Sequence, residues 1–366
     1  MSKKALYVDI KPLLKEFYNF IFLIGQRSNG KSYAVKDLLL RQAYKTGRKF
    51  GYLRRYQIDV RGSDVEGYFR DAPVSAITDG VYDHISVYRG KIYFAFFNEE
   101  TGKEERGQEC GYVFYLSGEI HFKSQNFDDC DELIFEEVIG TQGGYLFNEV
   151  DKLESLISTI ARRRKIRVWM IANSISRVCP YFSEFGLQGI YKQKQGTIDV
   201  YENRPDETFD EEGNQVVVKV AVFLTDETRG AGKMFFRKSA GMINRGQWLA
   251  RPCKHLPDNY RHFKKLYEMI VEFGDFTFKL ELLSHAEKGM IIFIHPHTLP
   301  SEDRDRVRLV TDRHEIGKKI SNGKLTVLTK GDFLIKELYE RNRVVFSDNL
   351  TGEDWDACVK TIGSFT

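Results

Sequence analysis

Proline is scarce in this chain, eight in 366 residues, and cysteine is scarcer still, with five and no Cys-x-x-Cys pair. So little proline leaves small scope for a Pro-rich linker or a long disordered tract. The odd set of cysteines (Cys110, Cys130, Cys179, Cys253, Cys358) argues against a disulfide framework or a zinc site and reads as reduced thiols. No apolar run reaches the roughly 18 residues a membrane span needs, and the first residues lack a signal peptide's apolar core. The expectation is a cytoplasmic protein that meets no membrane. Charge of one sign is missing too: 55 basic residues stand against 52 acidic ones, a net charge of +3. The average charge gives no reason to expect a polyanion partner, so any nucleic-acid surface has to be local. No internal repeat or low-complexity tract is visible.

What is present begins with a nearly continuous apolar run at 18–24, the pattern of a strand buried on both faces of a parallel sheet. It leads directly into Gly25-Gln26-Arg27-Ser28-Asn29-Gly30-Lys31-Ser32, which matches GxxxxGK[ST] at every fixed position. A helix follows, with Ala34, Val35, Leu38, Leu39 and Ala43 at helical spacing and Gly47 as its stop. A second strand is expected at 49–56, completing a βαβ unit. Backbone N–H groups of such a loop and the helix N-terminus suit phosphate. Lys31 is positioned for the β- and γ-phosphates of ATP, and the Ser32 hydroxyl for Mg²⁺. A chance glycine loop is the plain alternative, but the strand-loop-helix context argues against it.

Farther along, 57–85 reads as a loop or short helical insertion, and strands at 91–97 and 111–117 form an antiparallel hairpin. Leu133-Ile134-Phe135-Glu136-Glu137 is a short buried strand ending in two carboxylates. We assign Glu136 to the metal and Glu137 to the attacking water. The usual first residue of such a pair is Asp; the longer stem of Glu136 alters its reach. A strand at 166–172 ends at Asn173-Ser174, where Asn173 is a candidate γ-phosphate sensor. The helix at 147–163 closes on Arg162-Arg163-Arg164-Lys165. Cations there suit the helix dipole, and they also suit an arginine finger that offsets charge on a neighbouring subunit's γ-phosphate, with Arg162 favoured and Arg163 next. Arg54, Arg55, Arg61 and Lys123 are candidate phosphate contacts, to nucleotide or to nucleic-acid backbone; scattered basic residues are more often plain surface.

Beyond about residue 200 the character changes. Residues 202–215 are acidic and polar, 216–224 is a candidate strand, and 227–256 is a Gly-containing connector. A helix is expected near 258–271, strands at 276–283, 289–295 and 306–311, and a helix at 331–342. The partition is therefore 1–200, 201–256 and 257–366.

The order of features resembles the genome-packaging ATPases of small, short-tailed, protein-primed double-stranded DNA phages. The resemblance rests on Phe22 to Ala34, Tyr52-Leu53-Arg54-Arg55-Tyr56, Leu133 to Glu137, and Ile171 to Ser176 followed by Pro180-Tyr181-Phe182. It covers about 18–185. It implies an α/β fold, with an additional-strand, catalytic-glutamate P-loop NTPase domain of the RecA/terminase-like kind. A smaller α/β RNase H-like domain that has lost nuclease activity would follow, and the scarcity of acidic residues at its strand ends agrees with that. It also implies a homo-oligomeric ring, of five subunits, at a procapsid portal in the infected host's cytoplasm, hydrolysing ATP to move double-stranded DNA. In some relatives a packaging RNA meets the C-terminal domain. Two other classes compete: a P-loop kinase with a small-molecule acceptor, and a nucleotide-switched scaffold that binds nucleic acid or capsid without turnover. The paired glutamates favour water as acceptor.

Overall fold

The computed structural model describes residues 7–140, 144–173, 176–205, 208, 213–226, 251–273, 276–298, 307–311, 320–322 and 329–362. The chain opens with β1 (Phe20–Gly25), α1 (Lys31–Thr46) and β2 (Lys49–Arg54). All six residues of β1 are buried, as the apolar run requires. Alternate side chains of β1 go to opposite faces. Phe20, Phe22 and Ile24 join one core, while Ile21 and Leu23 join another with Val35, Leu39, Leu40 and Ala43 of α1. The helix ends where Gly47, at φ 71°, turns its N–H back to the Ala43 carbonyl, a left-handed cap that glycine adopts without steric cost.

Short helices α2 (Gly62–Phe69) and α3 (Val74–Ile77) fill the insertion after β2. Strands β3 (His84–Tyr88), β4 (Lys91–Asn98) and β5 (Lys103–Tyr115) follow, so the expected hairpin gains a third strand. Then come β6 (Cys130–Glu136), α4 (Glu149–Ala161), β7 (Arg167–Asn173), α5 (Pro180–Glu184), β8 (Ile198–Asn203) and β9 (Val218–Leu224). The nine strands run in the order β3-β4-β5-β2-β6-β7-β1-β9-β8. From β5 through β9 neighbouring strands are parallel; β3, β4 and β8 pair antiparallel at the edges. One strand, β7, thus separates the P-loop strand β1 from the carboxylate strand β6. This sheet draws on residues as far as Leu224, past position 200. The connector expected at 227–256 lies outside the described residues over 227–250.

A second sheet has the order β14-β13-β10-β11-β12-β15. Its strands are β10 (Lys264–Phe273), β11 (Phe276–His285), β12 (Gly289–Pro296), β13 (Val307–Thr311), β14 (Ile320–Asn322) and β15 (Val344–Phe346), with helices α6 (Lys330–Glu340) and α7 (Asn349–Ile362). The helix expected near 258–271 is instead one short 3₁₀ turn and β10. The reason is periodicity: Met269, Val271 and Phe273 alternate into the core, a period of two that pairing with β11 and β13 enforces. The buried Trp355 of α7 fills the centre of this core. Among the described residues no helix is long and apolar enough to cross a membrane.

The two sheets meet through the segment after β7. Val178 packs in the second core, and Arg177 donates to both carboxylate oxygens of the buried Asp354 in α7.

Candidate active site

Parallel register brings the ends of three strands together. Gly25 lies opposite Asn173, and Glu136 sits one strand farther on, opposite Ile171. The loop between Gly25 and Lys31 turns through left-handed backbone at Ser28 (φ 60°) and Gly30 (φ 85°). Gly25 is fixed by space: a Cβ there would come within 2.0 Å of the Thr225 hydroxyl. Thr225, just past β9, accepts a 2.6 Å hydrogen bond from the Asn29 side-chain amide and donates to the Ile24 carbonyl. It locks the loop to the sheet from 200 residues away in sequence, and nothing in the sequence pattern marks it.

Lys31 is buried and its amine donates to the Gln26 carbonyl and, at 3.0 Å, to Asn29 Oδ1. Burial pushes its pKa down to about 8, against the attraction of the Glu136 charge and with repulsion from Arg27. The Gln26 side chain is also buried, and among the described residues neither of its amide atoms has a hydrogen-bond partner.

Glu136 ends β6 in the interior. Burial raises its pKa, while hydrogen bonds from the Ser32 and Tyr68 hydroxyls and the Lys31 charge work the other way. The Tyr68 bond is 2.6 Å long. Tyr68 belongs to α2, so the insertion after β2 supplies part of the site. Its ring lies under the Lys36 amine, whose bonds to the Tyr68 carbonyl and Asp71 pin α2 to α1. The longer stem of Glu136 is therefore accommodated, with its carboxylate beside the Ser32 hydroxyl. Adjacent hydroxyl and carboxylate oxygens are hard donors that fit Mg²⁺.

Glu137, the next residue, has φ 59°, an uncommon conformation for a side-chain-bearing residue. The turn takes its carboxylate out of the interior, where Arg54 Nη2 holds it at 2.8 Å. A cleft of about 290 Å³ opens here, lined by Arg27, Arg54, Glu136, Glu137 and Asn173 among others.

Several expected nucleic-acid contacts lie elsewhere. Arg55 is buried: its guanidinium forms a two-pronged pair with Glu149 at 2.6 and 2.9 Å and donates to the Glu137 and Val138 carbonyls. A side chain so enclosed cannot reach a DNA backbone, and that assignment is corrected to an internal brace beneath Glu137. Arg54 belongs to the cleft. Arg61 and Lys123 are exposed.

The arginine cluster sits at the far end of the sheet. Arg162 is the exposed C-cap of α4, near Asp128 at 3.9 Å, and Arg163 is exposed beside it. Arg164 binds the Phe127 and Cys130 carbonyls and Asp131, all at the entry to β6. The length of β6, about 20 Å at roughly 3.3 Å per residue, separates this cluster from the chain's own Glu136. Of the expected site residues, Gly25 to Ser32, Glu136, Glu137, Asn173 and Arg54 converge; Ser174 lies outside the described residues.

The fold and this convergence define a P-loop nucleotide-binding protein whose carboxylate strand stands one strand away from the P-loop strand. The chain belongs to the podovirus DNA encapsidation protein (Gp16) family, whose model matches residues 1–211. It is 29% identical over 187 residues to the DNA packaging protein of Bacillus phage phi29, covering 50% of this chain and 51% of that protein. Against the DNA packaging protein of Bacillus phage B103 the identity is 31% over 169 residues, covering 45% and 47%. The chain thus spans about half the length of the curated relatives it matches. Its fold is similar to a chain of the bacteriophage Phi-29 viral genome packaging motor assembly, with TM-score 0.54 and 19% identity over 98% of this chain and 100% of that one.

Proposed function

We propose that this chain is an ATPase subunit of a motor that drives double-stranded DNA into a procapsid. The observation that carries the reading is the meeting of Lys31, Ser32, Glu136 and Glu137 at one sheet edge, with Glu137 turned out to the cleft. Loop N–H groups and Lys31 hold the triphosphate, and the low-dielectric surroundings of Lys31 strengthen its pull on phosphate oxygens. Ser32 and Glu136 hold Mg²⁺, which when bound supplies positive charge to the β- and γ-phosphates. Glu137 accepts a proton from the attacking water and orients it. Asn173, in register with Gly25, reports on the γ-phosphate. Arg162 or Arg163 serves the neighbouring subunit's site, since the far end of the chain's own sheet is out of reach of its own cleft. This arrangement calls for a closed ring, for which five subunits is our expectation. Arg61 and Lys123 remain the candidate DNA contacts.

We further propose that residues 1–200 form the ATPase unit, 201–256 a connecting module, and 257–366 an RNase H-like unit without nuclease activity. Support for the last comes from the strand order β12-β11-β10-β13-β14, an antiparallel meander extended by two parallel strands. The ring works at the procapsid portal in the host cytoplasm, and a packaging RNA is a candidate partner of the C-terminal unit.

Phosphate release by procapsid-bound rings, with and without duplex DNA, tests the reading: stimulation by DNA is expected. Transfer of phosphate to a small acceptor, or ATP binding with no turnover on procapsids, would sink it. Glu137→Gln is expected to bind ATP and lose turnover by 10²-fold or more. Arg162→Ala subunits mixed with Lys31→Ala subunits should regain activity through mixed interfaces; recovery with Arg163→Ala instead moves the finger by one residue.

A further inference from the structure

The segment before β1 lies along the phosphate loop. The Val8 N–H donates to the Asn29 carbonyl at 3.1 Å. The ring of Tyr7 rests against Gly30 so closely that a Cβ on Gly30 would come within 2.5 Å of it. On its other side Tyr7 stacks with Tyr33, with ring centroids 5.1 Å apart and planes 25° from parallel. Tyr33 stands in the first turn of α1, directly after Ser32. Core packing does not account for this pair. Val8, Ile10 and Leu13 of the same segment enter the apolar core, whereas neither tyrosine does, and Tyr7 remains 46% exposed.

A triphosphate held by the loop and by the N-terminus of α1 leaves its nucleoside to be accommodated next to the residues that adjoin the loop. Tyr33 and Tyr7 are two such residues, and both are aromatic. We propose that the Tyr7–Tyr33 stack is the platform on which the base of the bound nucleotide lies. The inference rests on the nucleotide-binding reading above and adds the recognition of the base to it. Ring faces grip any base in proportion to its π surface, so purine nucleotides should bind more tightly than pyrimidine ones. The same contact explains why Gly30 admits no side chain: the residue between phosphate loop and platform must let the ring approach the backbone.

The test is calorimetric titration of the full chain with Mg²⁺ and two ligands: ATPγS, and tripolyphosphate, which has the three phosphates but no base. Tyr7→Ala is expected to weaken ATPγS about tenfold or more, the usual effect of removing one stacking partner, and to leave tripolyphosphate within twofold. It should also erase the advantage of ATPγS over the corresponding pyrimidine nucleotide. Tyr7→Phe keeps the ring and should keep the affinity. Tyr33→Ala should follow Tyr7→Ala. Equal losses for both ligands would mean that the stack only clips the N-terminal segment to the loop, and unchanged ATPγS binding would mean that the base lies elsewhere; either result overturns the proposal. Lys31→Ala separates this from failure of the underlying reading, because it should weaken both ligands, and its having no effect would remove the phosphate site itself.

Discussion

Glu136 in the first sheet and Glu281 in the second are both buried carboxylates on central strands, yet their acidities move in opposite directions. Burial raises both, but for Glu136 it prevails over two hydroxyl donors and a lysine that is itself desolvated. For Glu281 the bonds from His295 and Tyr260 and the nearby His295 and Lys265 charges outweigh burial and leave the pKa below the usual range. The register makes the second case sharper. Glu268 and Glu281 face each other across β10 and β11, a like-charge pair that would oppose strand pairing if left alone. Lys265 and Lys279 bind Glu268 at 2.7 and 3.1 Å, and the Tyr260 hydroxyl binds Glu281 at 2.7 Å. Partners, then, more than depth, distinguish a carboxylate kept available for a cation from one already committed to holding strands together.

The strongest way to break this comparison is to find a committed pair in the first sheet and remove one member. Arg55 and Glu149 are such a pair, with side chains only 7% and 0% exposed. Arg55→Ala leaves Glu149 buried and without its cation, and should cost about 3–5 kcal/mol in urea unfolding. Arg55→Lys should recover only part, because an ammonium cannot reproduce the two-pronged contact while also bonding the Glu137 and Val138 carbonyls. A loss below about 1 kcal/mol would show that the brace beneath Glu137 is dispensable.

A smaller effect is expected where the two sheets meet. Asp354 is raised in pKa by burial and lowered by its bonds to Arg177. Asp354→Asn should cost about 1–3 kcal/mol, the range for weakening a buried charge-assisted hydrogen bond. The loss should show in hydrogen exchange as faster opening of α7 and β10, with β1 and β6 unchanged. Equal acceleration in both sheets would mean that Arg177 and Asp354 support the whole chain and do not mark a seam.

Much of the first sheet was legible in the sequence because its signals are local. An apolar strand, a glycine loop and a helix stripe lie within thirty residues, and two glutamates follow directly on a four-residue apolar run. What escaped was non-local. Thr225 reaches Asn29 across 196 positions, and Tyr68 reaches Glu136 from an insertion whose short helices carry no strong periodicity. Arg54 and Arg55 read alike as adjacent cations, but the alternation of an extended backbone sends neighbours to opposite sides, one to the cleft and one to the interior. In the second sheet, Phe263, Tyr267, Ile270 and Val271 mimic a helical stripe. Only pairing with β11 and β13 decides that 264–273 is a strand, and that partner information is absent from a ten-residue window.

The smallest expected effect sharpens the comparison through pH. The bond from Lys265 holds Glu268 down to about 2, with Lys279 adding to it against a modest cost of burial. A carboxylate whose folded pKa is depressed contributes stability above its unfolded pKa, near 4.5, and that contribution fades as pH falls from there toward 2. Glu268→Gln removes the contribution at all pH values. The wild-type chain should therefore exceed the variant by at most about 1 kcal/mol at pH 7, because the pair is partly open to solvent, and the two should converge as acid is added. Glu281 should oppose the loss, since Glu268→Gln also relieves the like-charge facing across β10 and β11. A gap that widened in acid would reverse the sign of this linkage, and Glu268 would then belong with Glu136 among the carboxylates raised by burial.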